Sequence, residues 1–130
     1  MTVLADRNHD PDTIKNSFLR ALDLHDAGDL QSAAAIYREL LPLLPTTGLL
    51  LNAYGTLLHQ QDVNNGALVY LRKSLLLEPF KSAYYNRLGA VLKTEKNMED
   101  AYTAHARAVL IDCDLYEANF NLAGLLLELN

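Results

Sequence analysis

Residues 48–81 read GLLLNAYGTLLHQQDVNNGALVYLRKSLLLEPFK, and residues 82–115 read SAYYNRLGAVLKTEKNMEDAYTAHARAVLIDCDL. Laid over one another, these 34-residue stretches match Gly55 with Gly89, Leu58 with Leu92 and Ala67 with Ala101. The grid extends in both directions. Leu24, Leu58, Leu92 and Leu126 recur at 34-residue spacing, each preceded at three positions by a small residue: Ala21, Gly55, Gly89 and Ala123. Ala33, Ala67 and Ala101 follow the first three leucines by nine positions, and Pro45 and Pro79 share a slot that Cys113 takes in the third unit. A period of this length marks a small supersecondary unit that stacks on its own copies, because alone it cannot bury its apolar face.

Each unit reads as two helices. The small residues mark close helix crossings, where a larger side chain would hold the partners apart. Gly28-Asp29, Asn64-Asn65 and Lys96-Asn97 are turn signals. Pro45 and Pro79 end the second helices, since proline cannot continue the hydrogen-bond ladder. The pattern predicts helices over 13–26, 30–43, 48–61, 64–77, 82–95, 98–111 and 116–129, with no strand. Pro42 should cut short the last turn of the second helix. Cys113, standing in for a terminating proline, should let the helix before it run on slightly.

Small-x-x-Leu, then Ala, then Pro at this period resembles the tetratricopeptide repeat family. The resemblance covers residues 13–130 and implies an all-α fold, a right-handed α-α superhelix of about seven antiparallel helices. Its units fall at 14–47, 48–81 and 82–115, with a half repeat at 116–130, after a flexible leader at 1–12 in which Asp12 or Thr13 caps the first helix. Arg20 and Asp23 stand where later units carry Tyr54 and Leu57, or Leu88 and Val91. A terminal repeat has no neighbour on one side, and a polar outer face suits it.

Composition narrows the function. A net charge of −5 leaves no basic stripe for a nucleic acid. No apolar run reaches the ~18 residues of a membrane span, and the N-terminus has no secretory pattern, so a cytoplasmic location is expected. The single cysteine forms no intramolecular disulfide. Neither a glycine-rich phosphate loop nor a histidine with an i, i+4 histidine or glutamate partner is present, so no cofactor, metal or catalytic group is expected and the chain does not read as an enzyme. His105 shares a slot with Tyr37 and Leu71 and reads as a packing residue; Cys113 reads as a small helix-end residue.

In stacked helix pairs the first helices line a concave groove. Its candidate binding residues fall in matching slots: Phe18, Asn52 and Asn86; Leu22, Thr56 and Ala90; His25, His59 and Lys93. Asn52 and Asn86 form a ladder of amides, each able to donate to and accept from an extended peptide backbone. Co-chaperone members of the resembled family hold a C-terminal carboxylate with lysine and asparagine, but those slots hold Phe18 and Leu22 here. The amides look more like the superhelical repeats that precede glycosyltransferase domains, whose ladder uses the neighbouring slot filled here by Asn121. The expected function is a non-catalytic scaffold for a peptide or partner protein. The alternative is the N-terminal substrate-recognition segment of a longer glycosyltransferase-like enzyme. Leu122, Leu125, Leu126, Leu127 and Leu129 crowd the final helix with no second helix after it. The expectation is a homodimer through Leu125 and Leu129, with Leu126 in the core of its own repeat.

Overall fold

The computed structural model describes residues 10–114 and 116–129, without the side chains of 116–118 and 129. Residues 1–9 of the expected leader, and the Leu129 side chain, lie outside the described residues. Among the described residues seven helices follow one another: α1 (Pro11–Asp26), α2 (Leu30–Leu40), α3 (Gly48–Gln60), α4 (Asn64–Leu77), α5 (Ser82–Thr94), α6 (Met98–Ile111) and α7 (Tyr116–Leu129). No strand occurs among the described residues.

The helix ends follow local chemistry. Asp10, not Asp12 or Thr13, caps α1: its carboxylate accepts from the Thr13 backbone N–H and hydroxyl, each at 2.8 Å. Pro11 then takes the first helical position, where an absent N–H leaves nothing unpaired. α2 stops at Leu40, because Pro42 forbids another turn. Cys113 does not lengthen α6, which has 14 residues like α4. Glu78 (φ −135°) and Asp112 (φ −139°) leave the helix at the same slot, so the exit does not depend on the proline that follows the first of them.

The turn inside each pair repeats as well. Gly28, Asp62 and Lys96 occupy one slot of the repeat and all have positive φ, at 87°, 61° and 61°. The next residue's N–H reaches back to the carbonyl of the recurring leucine: Asp29 to Leu24 at 2.9 Å, Val63 to Leu58 at 2.8 Å, Asn97 to Leu92 at 2.9 Å. This left-handed ending satisfies carbonyls that the helix leaves open. Glycine adopts it freely, whereas lysine does so against its side chain.

Helices pack within pairs (α1 with α2, α3 with α4, α5 with α6) and each pair packs on the next. α1 touches α3, α3 touches α5, and α5 touches α7, whereas α2, α4 and α6 do not touch one another. The layer of first helices is therefore the tighter one, and the stack bends toward it. The crossings need small residues. A Cβ on Gly55 would lie 2.9 Å from Leu71 Cγ, and one on Gly89 would lie 2.7 Å from the His105 ring. Leu40, Leu57, Leu71 and Val91 fill the core between the layers. An edge-to-face run of Phe18, Tyr37, Tyr54 and Tyr70 carries it through the first two repeats, with ring centroids 6.4, 6.2 and 4.9 Å apart. Gly48 leaves room at the start of α3 for the Glu78 carboxylate, which also accepts from the Tyr84 hydroxyl at 2.8 Å and so links two repeats.

Candidate functional site

Along the inner face, neighbouring first helices are joined by polar contacts between residues 35 positions apart. His25 Nε2 meets Gln60 Oε1 at 2.5 Å, His59 Nε2 meets Thr94 Oγ1 at 3.1 Å, and Lys93 Nζ meets Glu128 Oε1 at 3.3 Å. Each joins one slot of a repeat to the following slot of the next repeat. Proton positions follow from the partners. The Gln60 carbonyl oxygen can only accept, so His25 Nε2 carries the proton and Nδ1 accepts from the Tyr37 hydroxyl at 2.9 Å. Burial and the nearby Asp26 charge push the Tyr37 phenol up to about 12, which keeps it a donor. Thr94 spends its own proton on the Ala90 carbonyl, so it accepts from His59.

The asparagine ladder has a different role from the one expected. Asn52 and Asn86 are only 3% and 7% exposed. Asn86 Oδ1 accepts from His105 Nδ1 at 2.8 Å and from Asn121 Nδ2 at 3.1 Å, so its oxygen is committed within the chain. Asn52 donates to Ser74 Oγ across 3.4 Å. The Asn86 side chain thus points between the layers rather than into the groove, because the paired second helix crosses there. His105 is a packing residue as expected (1% exposed), and it also ties α6 to α5. Burial and the Lys93 charge hold its pKa below the ordinary histidine value.

A hollow of about 340 Å³ opens on the inner face between the first three first helices. Leu22, His25, Asn52 and Thr56 line it, together with Gln60 and Arg87. Asp26, Leu49 and Ala53 complete the wall. Phe18 instead stacks on Tyr37, while His59, Asn86, Ala90 and Lys93 lie outside the hollow. Arg87 is exposed, and among the described residues it has no carboxylate within ion-pair distance. Its slot in the repeat carries Leu19, Ala53 and Asn121 elsewhere, so no repeating pattern points to it. Among the described residues no three His, Cys, Asp or Glu side chains cluster as a metal would need. No helix among them is long and apolar enough to cross a membrane.

The end of the chain departs from expectation. Leu125, an expected intermolecular contact, is fully buried (0% exposed), as are its counterparts Leu57 and Val91, because this slot faces the preceding repeat. Leu126 is 41% exposed, whereas Leu58 and Leu92 in the same slot are buried with the second helix of their own pair alongside. α7 has no such partner among the described residues.

No family model matches the sequence, and no curated protein does either. Solved structures do match. The first tetratricopeptide-repeat domain of Spaghetti (RPAP3), bound to an HSP90 peptide, superposes with a TM-score of 0.85 at 16% identity, covering 92% of this chain and 95% of that one. The Yersinia enterocolitica type III secretion chaperone SycD, in complex with a peptide of the translocator YopD, gives 0.84 at 11% identity, with 95% and 100% covered. The Thermobaculum terrenum O-GlcNAc transferase gives 0.86 at 24% identity, with 92% of this chain covered but 23% of that one. The chain has the tetratricopeptide-repeat fold, three helix pairs and one further helix.

Proposed function

We propose that this protein is a non-catalytic scaffold that binds an extended peptide or a partner's extended segment in the inner groove. The observation that carries the reading is the 340 Å³ hollow, with Leu22 and Leu49 on its apolar side and Arg87, Thr56 and Gln60 on its polar side. Two similar structures hold peptides, one from HSP90 and one from YopD, which supports the reading. Among the described residues the Asn52 amide oxygen has no hydrogen-bond donor, so it is left to accept a backbone N–H of the guest. The fit to the transferase supports a second reading, a substrate-recognition segment of a longer enzyme. A cytoplasmic location accords with either.

Arg87→Gln with Thr56→Ala tests the site, since both side chains line the groove outside the core. Screening of a peptide library by fluorescence polarisation should yield binders whose affinity falls about tenfold in this variant. Binders that ignore the pair would move the site elsewhere. The exposed Leu126 supports a further proposal, a homodimer through α7. Leu126→Glu should then halve the sedimenting mass at about 100 µM, a concentration at which apolar contacts of this size associate; a wild-type monomer would dispose of it.

A further inference from the structure

The outer face of the stack has a crevice of its own. α4 and α6 stand apart, and two adjoining hollows lie over α5, the smaller reaching from α4 to α6 and the larger lined by α4, α5 and the loop between them. The larger, about 500 Å³, is walled by Arg72, Leu75, Leu76, Pro79 and Tyr85. The smaller, about 180 Å³, lies between Leu88 and Leu92 of α5 and the α6 side chains Thr103 and Arg107. Arg72 and Tyr85 belong to both hollows, so the crevice is continuous.

Two properties set it apart from an ordinary helix surface. Its apolar part is open, with Leu76 at 83% exposure and Phe80 exposed in the loop just after Pro79. Its polar part is a pair of guanidiniums, Arg72 from α4 and Arg107 from α6, and the latter lies 5.9 Å from the Tyr85 ring centroid. Among the described residues neither has a carboxylate within ion-pair distance. The acid that lines the crevice, Asp100, accepts from Asn97 Nδ2 at 2.8 Å in the cap of α6, about 10 Å along the helix from Arg107. In a chain of net charge −5, two unpaired arginines on opposite walls of one apolar cleft form a local positive site. Planar guanidiniums suit a carboxylate, and the cleft is far too short a basic track for a nucleic acid.

We propose that this crevice docks a short segment of another protein, in which an apolar side chain enters the hollow at Leu76, Pro79 and Tyr85 and a neighbouring Asp or Glu carboxylate lies between Arg72 and Arg107. The site is separate from the inner groove, shares no residue with it, and lets one stack hold two partners at once.

The experiment is selection of displayed random dodecapeptides on the full chain, with depletion on the Arg72→Gln/Arg107→Gln double variant. Both side chains are exposed, so the variant should keep its helicity by circular dichroism. The retained pool should pair an apolar residue with an acid one to three positions away. Its members should lose about tenfold or more in affinity on the double variant. They should bind Arg87→Gln with Thr56→Ala unchanged, which separates this proposal from the inner-groove reading. A pool without acids, a pool that binds the double variant equally, or no pool at all would overturn it. So would a dimer in sedimentation that the double variant abolishes, because the occupant would then be a second copy of this chain.

Discussion

The two faces of this stack are made from the same repeats and differ in how their helices meet. On the inner face, first helices touch and are joined repeat by repeat through His25–Gln60, His59–Thr94 and Lys93–Glu128. On the outer face, second helices stand apart, and the gap exposes leucine and arginine. The difference shows how a solenoid separates its tasks: contact between neighbours is concentrated on one side, and the other side is left open for surface chemistry. Curvature is the geometric result.

The largest test of that comparison concerns the spacing between the layers. Gly89→Leu would push a side chain into the His105 ring, already 2.7 Å from where a Cβ would stand, and so prise the inner and outer layers apart. Urea melts should show a loss on the order of 3 kcal/mol; unchanged stability would mean that the crossing is not close. Next comes the link that runs through both layers. Asn86→Ala leaves the buried His105 Nδ1 donor unpaired and should cost roughly 1–3 kcal/mol. Because Asn86 is buried, this change reports on stability and not on binding alone.

The same link should respond to pH. His105 is held below its usual 6.5 by burial and by Lys93, and it faces Asn86, Gly89 and Lys93. The unfolded chain therefore takes up the proton first. Its stability contribution is complete above about pH 6.5 and is lost as pH falls through the depressed folded pKa, at no more than about 1.4 kcal/mol per pH unit. Melts from pH 7.5 down to 5 should show this slope in the wild type and a shallower one in His105→Gln; equal slopes would acquit the histidine. The smallest effect lies in the turns that join inner to outer helices. Lys96→Gly should stabilise by about 0.5–1 kcal/mol, because glycine takes the left-handed backbone without strain, as Gly28 does in the first repeat. A thermal midpoint that falls on this change would show that the lysine side chain matters more than its backbone.

The helices were legible because their determinants repeat. The small residues at 21, 55 and 89, and the leucines three positions on, specify each crossing by volume alone, and volume is visible in sequence. Turn chemistry was legible in part. Gly28 announces itself, but Asp62 and Lys96 take the same backbone under the pull of the packed helices on either side. The site was less readable, for two reasons. Slot matching shows which residues are equivalent, but not whether a side chain turns toward the groove or between the layers, and Asn86 turned inward while Asn52 stayed at the groove wall. Arg87 belongs to a slot with no consistent chemistry, so periodicity carried no trace of it. Leu125 and Leu126 exchanged their expected roles because their burial depends on which neighbours lie alongside, information that a single helix does not contain.

The contacts 35 positions apart also behave as interchangeable couplings. His25 and His59 present the same plug, and Gln60 and Thr94 are two sockets that both accept it. A second copy of residues 48–81 inserted after the first would bring a histidine against a glutamine, the pairing already present between the first two units. The chain should therefore lengthen by one 34-residue unit at that joint and still melt as one body. Duplicating residues 82–115 instead would keep the ion pair at the last joint but add a joint that sets Lys93 against a threonine, with no opposite charge to meet it. The joints thus carry a direction for growth: the stack is extendable at its middle and specialised toward α7.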